Sequence, residues 1–299
     1  HHLFADVLRQ GMEPAQARLL HRRASGWYAK QGFVGDAIHH ALTARADEAG
    51  GSLIERHGLY LAQEGEAITV QSWLRALPAE QKATRPRLTL TAAFAELGVG
   101  NAAAADRLLR QAEEQWLAAE QTDDRTTAAE IAGARAMLAT FHQHHPHAIV
   151  FAQQALADLP AHNSRLRAAV AAGLGFAYLL AGNLLAAEPT LLDALAALPD
   201  DENMRIPRMV MLSTLGLVRP TQGRRRDALA LQQQALALVE RQGSTLPLAA
   251  TMLVIHELGR LHYDQNRLDE AESYLRQTQA VGGAARHTAH GGFSTRLLA

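Results

Sequence analysis

Small, apolar and turn-forming residues return along this chain in one fixed order, with polar residues filling the positions between them. Alanines stand at positions 37, 105, 148, 187, 228 and 271, in contexts such as Asp36-Ala37-Ile38, Ala186-Ala187-Glu188 and Asp227-Ala228-Leu229. Twelve residues before each sits another small residue: Ser25, Ala93, Ala136, Gly175, Gly216 and Gly259. Five residues before each is Gly or Asn (Gly32, Gly100, Gly182, Gly223, Asn266), with Gln143 in the remaining copy. A weaker seventh copy carries Gly58, Gly65 and Val70 at the same offsets, and successive copies are 33 to 43 residues apart. No segment shows strand alternation over any length. A period in this range predicts stacked helical hairpins, each burying its apolar face against its neighbours.

The offsets have a physical reading. Two antiparallel helices that pack closely need small residues where their backbones approach. The Gly or Asn between the small residues falls where the first helix must stop, because the left-handed conformation costs little there. Asp36, Asp227, Asp269 and Glu270 suit the first turn of the second helix. Leucines follow in many copies, at 108, 109, 191, 192, 229 and 275, and Pro160 and Pro199 are placed to end second helices. This order of small residue, Gly, Ala and Pro resembles the tetratricopeptide consensus. The predicted fold is all-α: a right-handed superhelical solenoid of about seven antiparallel hairpins.

The pattern also divides the chain. His21 to Leu42 reads as the first hairpin, and Leu53 to Leu77 as the second, closed by Pro78. Pro86 fits the N-terminus of the third. Thr122-Asp123-Asp124-Arg125 and the stretch Pro199 to Asn203 read as connectors before the fourth and sixth. Gly282-Gly283 and Gly291-Gly292 are expected to interrupt the end, where residues 286–299 either start one more helix or fray.

Composition limits the function. The 299 residues are 48% hydrophobic, enough for a large core, yet no run of about 18 apolar residues or basic-plus-apolar leader is seen. No membrane contact is expected. The absence of cysteine excludes a disulfide framework and thiol chemistry and is consistent with the cytoplasm. With 29 basic against 30 acidic residues, the chain carries no electrostatic footprint for nucleic acid.

A second resemblance rests on longer motifs. The stretch from His1-His2-Leu3-Phe4 to Arg9 resembles the end of a winged-helix domain in large bacterial LuxR-type activators of the MalT class. Leu20-His21-Arg22-Arg23-Ala24-Ser25-Gly26-Trp27-Tyr28 and Asp36-Ala37-Ile38-His39-His40-Ala41-Leu42 follow, then Trp73-Leu74-Arg75-Ala76-Leu77-Pro78 and Arg85-Pro86-Arg87-Leu88, in the order and spacing of that class. The motifs cover roughly residues 1 to 115; the remainder is similar through its repeats. The resemblance implies that residues 1–12 are the tail of a winged-helix domain and 13–299 a tetratricopeptide-like sensor, in a piece of a longer chain. It also implies that ATP, the class's cofactor, is bound by a separate N-terminal module, and DNA by a C-terminal helix-turn-helix. No G-x-x-x-x-G-K-[ST] loop occurs here. This segment is therefore expected to need no cofactor, to touch no nucleic acid, and to work with the other domains of its chain.

Candidate chemistry is sparse. His142-Gln143-His144-His145-Pro146-His147 is dense enough in imidazole to chelate Zn²⁺ or Ni²⁺. It falls at a hairpin turn with no Cys or carboxylate in the run, so a solvated turn is the better reading. The same holds for Arg224-Arg225-Arg226 beside Asp227. No G-x-S-x-G or H-E-x-x-H occurs, and no enzyme is expected.

The candidate binding surface comes from geometry. If first helices line the concave side, the inward positions of the last four hairpins include Glu130, Met137, Thr140 and Phe141; Phe176 and Leu179; Ser213; and His256, Arg260 and Tyr263. An apolar floor with a few convergent polar groups suits a small inducer. The alternative is a scaffold that grips a peptide or a regulatory protein in an open channel.

Overall fold

The computed structural model describes residues 13–119, 125–161, 163–201, 204–240 and 248–285, the side chains of 64, 141, 240, 248–250 and 280–285 excepted. The expected winged-helix tail (1–12), the connector residues 122–124 and residues 286–299 lie outside it. The described residues form fifteen α-helices: α1 (Pro14–Lys30), α2 (Val34–Thr43), α3 (Asp47–Leu61), α4 (Ala67–Ala76), α5 (Ala79–Ala83), α6 (Pro86–Gly98), α7 (Ala102–Ala118), α8 (Arg125–Phe141), α9 (His145–Asp158), α10 (Ser164–Leu180), α11 (Leu184–Ala196), α12 (Arg205–Val218), α13 (Arg225–Glu240), α14 (Leu248–Asp264) and α15 (Leu268–Ala285). They pair in order as seven hairpins, with short α5 between the second and third.

Each hairpin turns where the sequence predicts. Gly32, Gly65, Gly100, Gly182 and Gly223 all have φ between 74° and 93°, and Gln143 and Asn266 take the same left-handed conformation at 59° and 60°. The next residue then sends its N–H back five positions: Phe33 to the Tyr28 carbonyl, Asn101 to Glu96, His144 to Ala139, Asn183 to Tyr178, Arg224 to Arg219 and Arg267 to His262, at 2.8–3.0 Å. This bond satisfies a carbonyl that the helix end would otherwise leave open. In two hairpins the residue after the glycine also starts the second helix. Asn101 Oδ1 accepts from the Ala104 N–H and Asn183 Oδ1 from the Ala186 N–H, each a side-chain N-cap. The second hairpin turns through a π-helical stretch at Ala62–Glu66, kinked at Gly65.

Small residues bring the helices together, with a register that spacing alone does not give. Ala187 is expected to face Gly175, yet a Cβ built on Gly175 would lie 2.4 Å from Leu191, one turn beyond Ala187. Gly216 meets Gln232 and Gly259 meets Leu275 in the same relation. The offset of twelve marks the neighbouring backbone instead: Ser25 Oγ donates to the Ala37 carbonyl at 2.8 Å, and a Cβ on Gly259 would lie 3.4 Å from the Ala271 carbonyl. Gly58 departs from the pattern and packs on Thr91 of the next hairpin.

First helices stack on first helices (α6 on α8, α8 on α10, α10 on α12, α12 on α14), and each second helix packs on the following first helix. One core runs from Ile38 to Leu174, and two smaller clusters join the fifth to sixth and sixth to seventh hairpins. Pro160 and Pro199 lie beyond the ends of α9 and α11. The expected interruption at Gly282-Gly283 does not occur, since α15 continues to Ala285. A glycine lowers helix propensity by only about 1 kcal/mol, a modest cost within an eighteen-residue helix.

Candidate ligand site

The first-helix face carries the residues that sequence counting selects. Glu130 on α8 is 2% exposed and accepts a 2.9 Å hydrogen bond from Arg87 Nη2 on α6, an ion pair between consecutive first helices. Met137 packs against the main core, and Thr140 Oγ1 donates back along its own helix to the Ala136 carbonyl. Phe176 and Leu179 are half-buried on α10. Ser213 is buried, its carbonyl accepting from Gln232 Nε2 at 2.9 Å. On α14, His256 is half-buried and Tyr263 is 64% exposed. Arg260 is already answered by Glu257 and by Asp264, the latter at 2.9 Å. Bonding to Glu257 holds its guanidinium more firmly protonated than usual. The side chain of Phe141 lies outside the described residues. Glu130, Thr140, Ser213 and Arg260 are thus each bonded to other positions of the array.

A cavity of about 380 Å³ opens elsewhere, between the third and fourth hairpins on the side of their second helices. It is lined by Glu113 and Trp116 of α7, Ala128, Ile131, Ala132 and Arg135 of α8, and Phe151 and Gln154 of α9. The four α8 residues follow an i, i+3, i+4, i+7 stripe, the spacing that puts them on one helix face. Arg135 pairs with Glu113, both of them lining the cavity, and stands 5.9 Å from the Phe151 ring centre. Among the side chains of the lining residues, Trp116 Nε1 and Arg135 Nε are buried without an acceptor.

None of the ten residues chosen from sequence lines this cavity. Counting inward positions follows only the first helix of each hairpin, whereas this site needs a face of α8 together with second helices from two hairpins. The Ala128/Ile131/Ala132/Arg135 stripe, with Glu113-x-x-Trp116 before it, is the signal that was there to read.

The two runs flagged for special chemistry behave differently. The His142, His144 and His147 rings lie 6.0–6.5 Å apart in sequence order. Among the described residues no group of three or more His, Cys, Asp or Glu is placed to hold a metal ion. Arg224 of the basic run does more than face solvent: it pairs with Asp227 at 2.6 Å and reaches Glu188 of the preceding hairpin at 3.7 Å. Glu188 also accepts from Arg219 and Gln222. The Gln222 bond, with help from Arg219, holds its carboxyl below the usual range. No helix among the described residues is long and apolar enough to cross a membrane.

Comparison with known proteins places this architecture. In solved structures, the chain is similar to the Cut9-Hcn1 hetero-tetramer of the APC/C (TM-score 0.62, 17% identity, 86% of this chain and 45% of that one). It is also similar to the apo form of RapI (TM-score 0.53, 12% identity, 93% and 79%). At these identities the likeness concerns the fold. Among curated proteins, the HTH-type transcriptional regulator MalT of Serratia proteamaculans is 28% identical over 284 residues, 93% of this chain and 31% of the relative. The serine/threonine-protein kinase PknK of Mycobacterium tuberculosis is 32% identical over 100 residues, 32% of this chain and 9% of the kinase. The chain thus spans between about a tenth and a third of the length of these relatives. The family described as the MalT-like TPR region matches residues 129–291, more than half of the chain. On that match, the chain belongs to the MalT-like TPR region family.

Proposed function

We propose that this chain is the signal-sensing part of a MalT-class transcriptional regulator. It binds a small-molecule inducer or a regulatory protein and passes that event to the nucleotide-switch and DNA-binding domains of the same polypeptide, in the cytoplasm. The observation that carries this reading is the similarity to a transcriptional regulator along 93% of the chain. A stack whose units touch only their neighbours offers the mechanism. A ligand bridging two hairpins changes their relative pitch, and the change is relayed along the array. The ligand shifts the array only by as much as it binds one pitch more tightly than the other.

The segment itself is read as non-catalytic and cofactor-free, with ATP and DNA left to other domains. The second reading is a protein-binding helical scaffold, favoured by the likeness to an APC/C subunit assembly. A thermal-shift screen of metabolites, run beside ATPase and duplex-DNA binding assays, tests the proposal. It predicts stabilisation by a small compound with neither ATP turnover nor a salt-sensitive DNA shift. ATP turnover or DNA binding would contradict it, and stabilisation by a protein partner alone would assign the signal to a regulatory protein in place of an inducer.

A further inference from the structure

We infer that the outer face of α1 docks an acidic amphipathic helix of a separate protein. This goes beyond the sensing reading and holds whichever signal the array detects.

The array's own stacking rule identifies the face. In later first helices, the residues five before, two before and five after the leading small residue meet the preceding hairpin. Val170, five before Gly175, lies 3.0 Å from a Cβ built on Gly133. Thr91, two before Ala93, lies 2.7 Å from one built on Gly58, and a Cβ on Gly98, five after Ala93, would lie 2.8 Å from Ala67. In α1 the same offsets from Ser25 give Leu20, Arg23 and Lys30, and all three are exposed. Trp27 completes their stripe at helical spacing. Leu20 is 45% and Trp27 56% exposed. α1 packs on α2, with Ser25 as its one buried residue. A face that every later hairpin uses for stacking therefore stands uncovered here.

Repeat arrays need polar outer faces on their terminal units. The last described helix meets this need: from 272 to 279 its exposed residues are Glu272, Ser273, Arg276, Gln277 and Gln279. α1 does not, since Leu19, Leu20 and Trp27 are all exposed. A tryptophan amid exposed leucines is the composition of an interface anchor.

Charge then names the partner. At the position of Arg23, later first helices hold the small buried residues Thr91, Ala134 and Thr214. Arg23 and Lys30 make no ion pair with any described residue, whereas Arg85, Arg87, Arg135 and Arg219 of the later hairpins are all paired. Residues 13–43 carry Arg18, Arg22, Arg23 and Lys30 against Glu13 and Asp36, in a chain of net charge −1. Arg23 and Lys30 are two turns apart, so a helix laid along α1 answers both with carboxylates seven residues apart, beside an apolar stripe for Leu20 and Trp27. Residues 1–12 carry one acid, Asp6, and cannot answer both cations. A second copy of the same face would set like charges against each other.

Two synthetic helical peptides test this. Both carry a leucine stripe, flanked in one by glutamates seven residues apart and in the other by lysines at the same positions. Affinity is read by calorimetry, and contact with α1 from Trp27 emission as the difference between wild type and Trp27→Phe. We expect the glutamate peptide to bind one site at least about tenfold more tightly than the lysine peptide, with an advantage that shrinks as salt rises. Arg23→Glu combined with Lys30→Glu should reverse the preference, and Trp27→Ala should weaken binding of the glutamate peptide. Arg225→Glu with Arg226→Glu makes the same charge change at an exposed turn and should leave the preference as in wild type.

Equal affinities for the two peptides, a preference that survives Arg23→Glu/Lys30→Glu, or one lost equally in Arg225→Glu/Arg226→Glu would each overturn the inference. So would a concentration-dependent dimer that Trp27→Ala dissolves, which gives the face to a second copy. Peptide binding that appears only in Phe4→Asp would overturn it too, by giving the face to residues 1–12. The metabolite screen reads sensing without reference to this face, so either can fail while the other stands. The wild-type comparison of the two peptides is decisive even if a variant fails to fold.

Discussion

The guanidinium carbon of Arg165, at the start of α10, stands 3.6 Å from the centre of the Tyr60 ring near the end of α3. The contact joins the fifth hairpin directly to the second and passes over the two between them. Repeat arrays gain most of their stability between nearest neighbours, so a bridge of this reach is a separate constraint on curvature. Burial shifts the Arg165 guanidinium below its usual range, opposed by Tyr60 and by Asp201.

A desolvated cation–π contact contributes about 0.5–2 kcal/mol. Arg165→Ala and Tyr60→Leu should therefore each destabilise the chain by about that amount, and a double-mutant cycle should return a coupling of the same sign. Small-angle scattering should show a more open array in either variant. Additive losses with unchanged dimensions would mean that the bridge does not set the curvature.

Among the described glycines the tightest is Gly175, where an added Cβ would lie 2.4 Å from Leu191, so a side chain at 175 must displace that leucine. Gly175→Ala should cost about 1–3 kcal/mol, as overpacking of a filled core does, despite alanine's better helix propensity. Ala187→Leu, at a residue that is 0% exposed, should be destabilising for the same reason. Thermal denaturation of both reads the result; a Gly175→Ala variant as stable as wild type would place the contact elsewhere.

These two contacts mark how far the sequence could be read. The turns were legible residue by residue, because the left-handed conformation is costly for most side chains: Gly32, Gly100, Gly182, Gly223 and Asn266 each announced a helix end, and even Gln143 adopts it. Helix pairing followed from the same offsets. The partner of Gly175 was not legible, since a spacing of twelve records where backbones approach and leaves open which side chain fills the gap one turn later. Nor were the Arg165–Tyr60 bridge and the Trp116/Arg135 cavity. Both depend on how several hairpins are rotated relative to one another, and no local spacing encodes that rotation.

Glu188 couples the fifth and sixth hairpins through Arg219, which is 7% exposed. Its carboxyl is held below the ordinary value of 4.5, so the folded state prefers the carboxylate more than the unfolded chain does. That contribution is complete above pH 4.5 and disappears as pH falls through the lower folded value. Glu188→Gln should cost about 1–2 kcal/mol at neutral pH by leaving Arg219 without its charged partner, and the gap to wild type should close below pH 4.5. Denaturant titrations across that range check this, and a gap that persists at low pH would contradict it.

Three histidines act in the opposite part of the scale. Burial, aided by His21 and His39, lowers His40; burial and Arg56 lower His57; burial and Arg267 lower His262. His40 also meets His21 with their Nδ1 atoms 2.7 Å apart, a hydrogen bond that needs at least one of the two nitrogens unprotonated. Each folded value lies below the ordinary 6.5, so the unfolded chain takes up protons first. Their contribution is complete above pH 6.5 and falls away as pH drops toward the folded values. The melting temperature should therefore decline on acidification from neutrality, and less steeply in His40→Asn combined with His262→Phe. An identical slope in that variant would assign the decline to other groups.

The central claim is that this array of hairpins recognises a small molecule, and native mass spectrometry tests it most directly. The chain is incubated with the small-molecule fraction of a bacterial lysate, desalted, and weighed first under native and then under denaturing conditions. The account predicts one discrete mass increment of a small organic compound per chain, present natively, lost on denaturation, and diminished in Ala128→Leu. A native mass equal to that of the bare polypeptide, with a discrete increment appearing only when the protein fraction is added, would contradict it and make the chain a protein-binding scaffold.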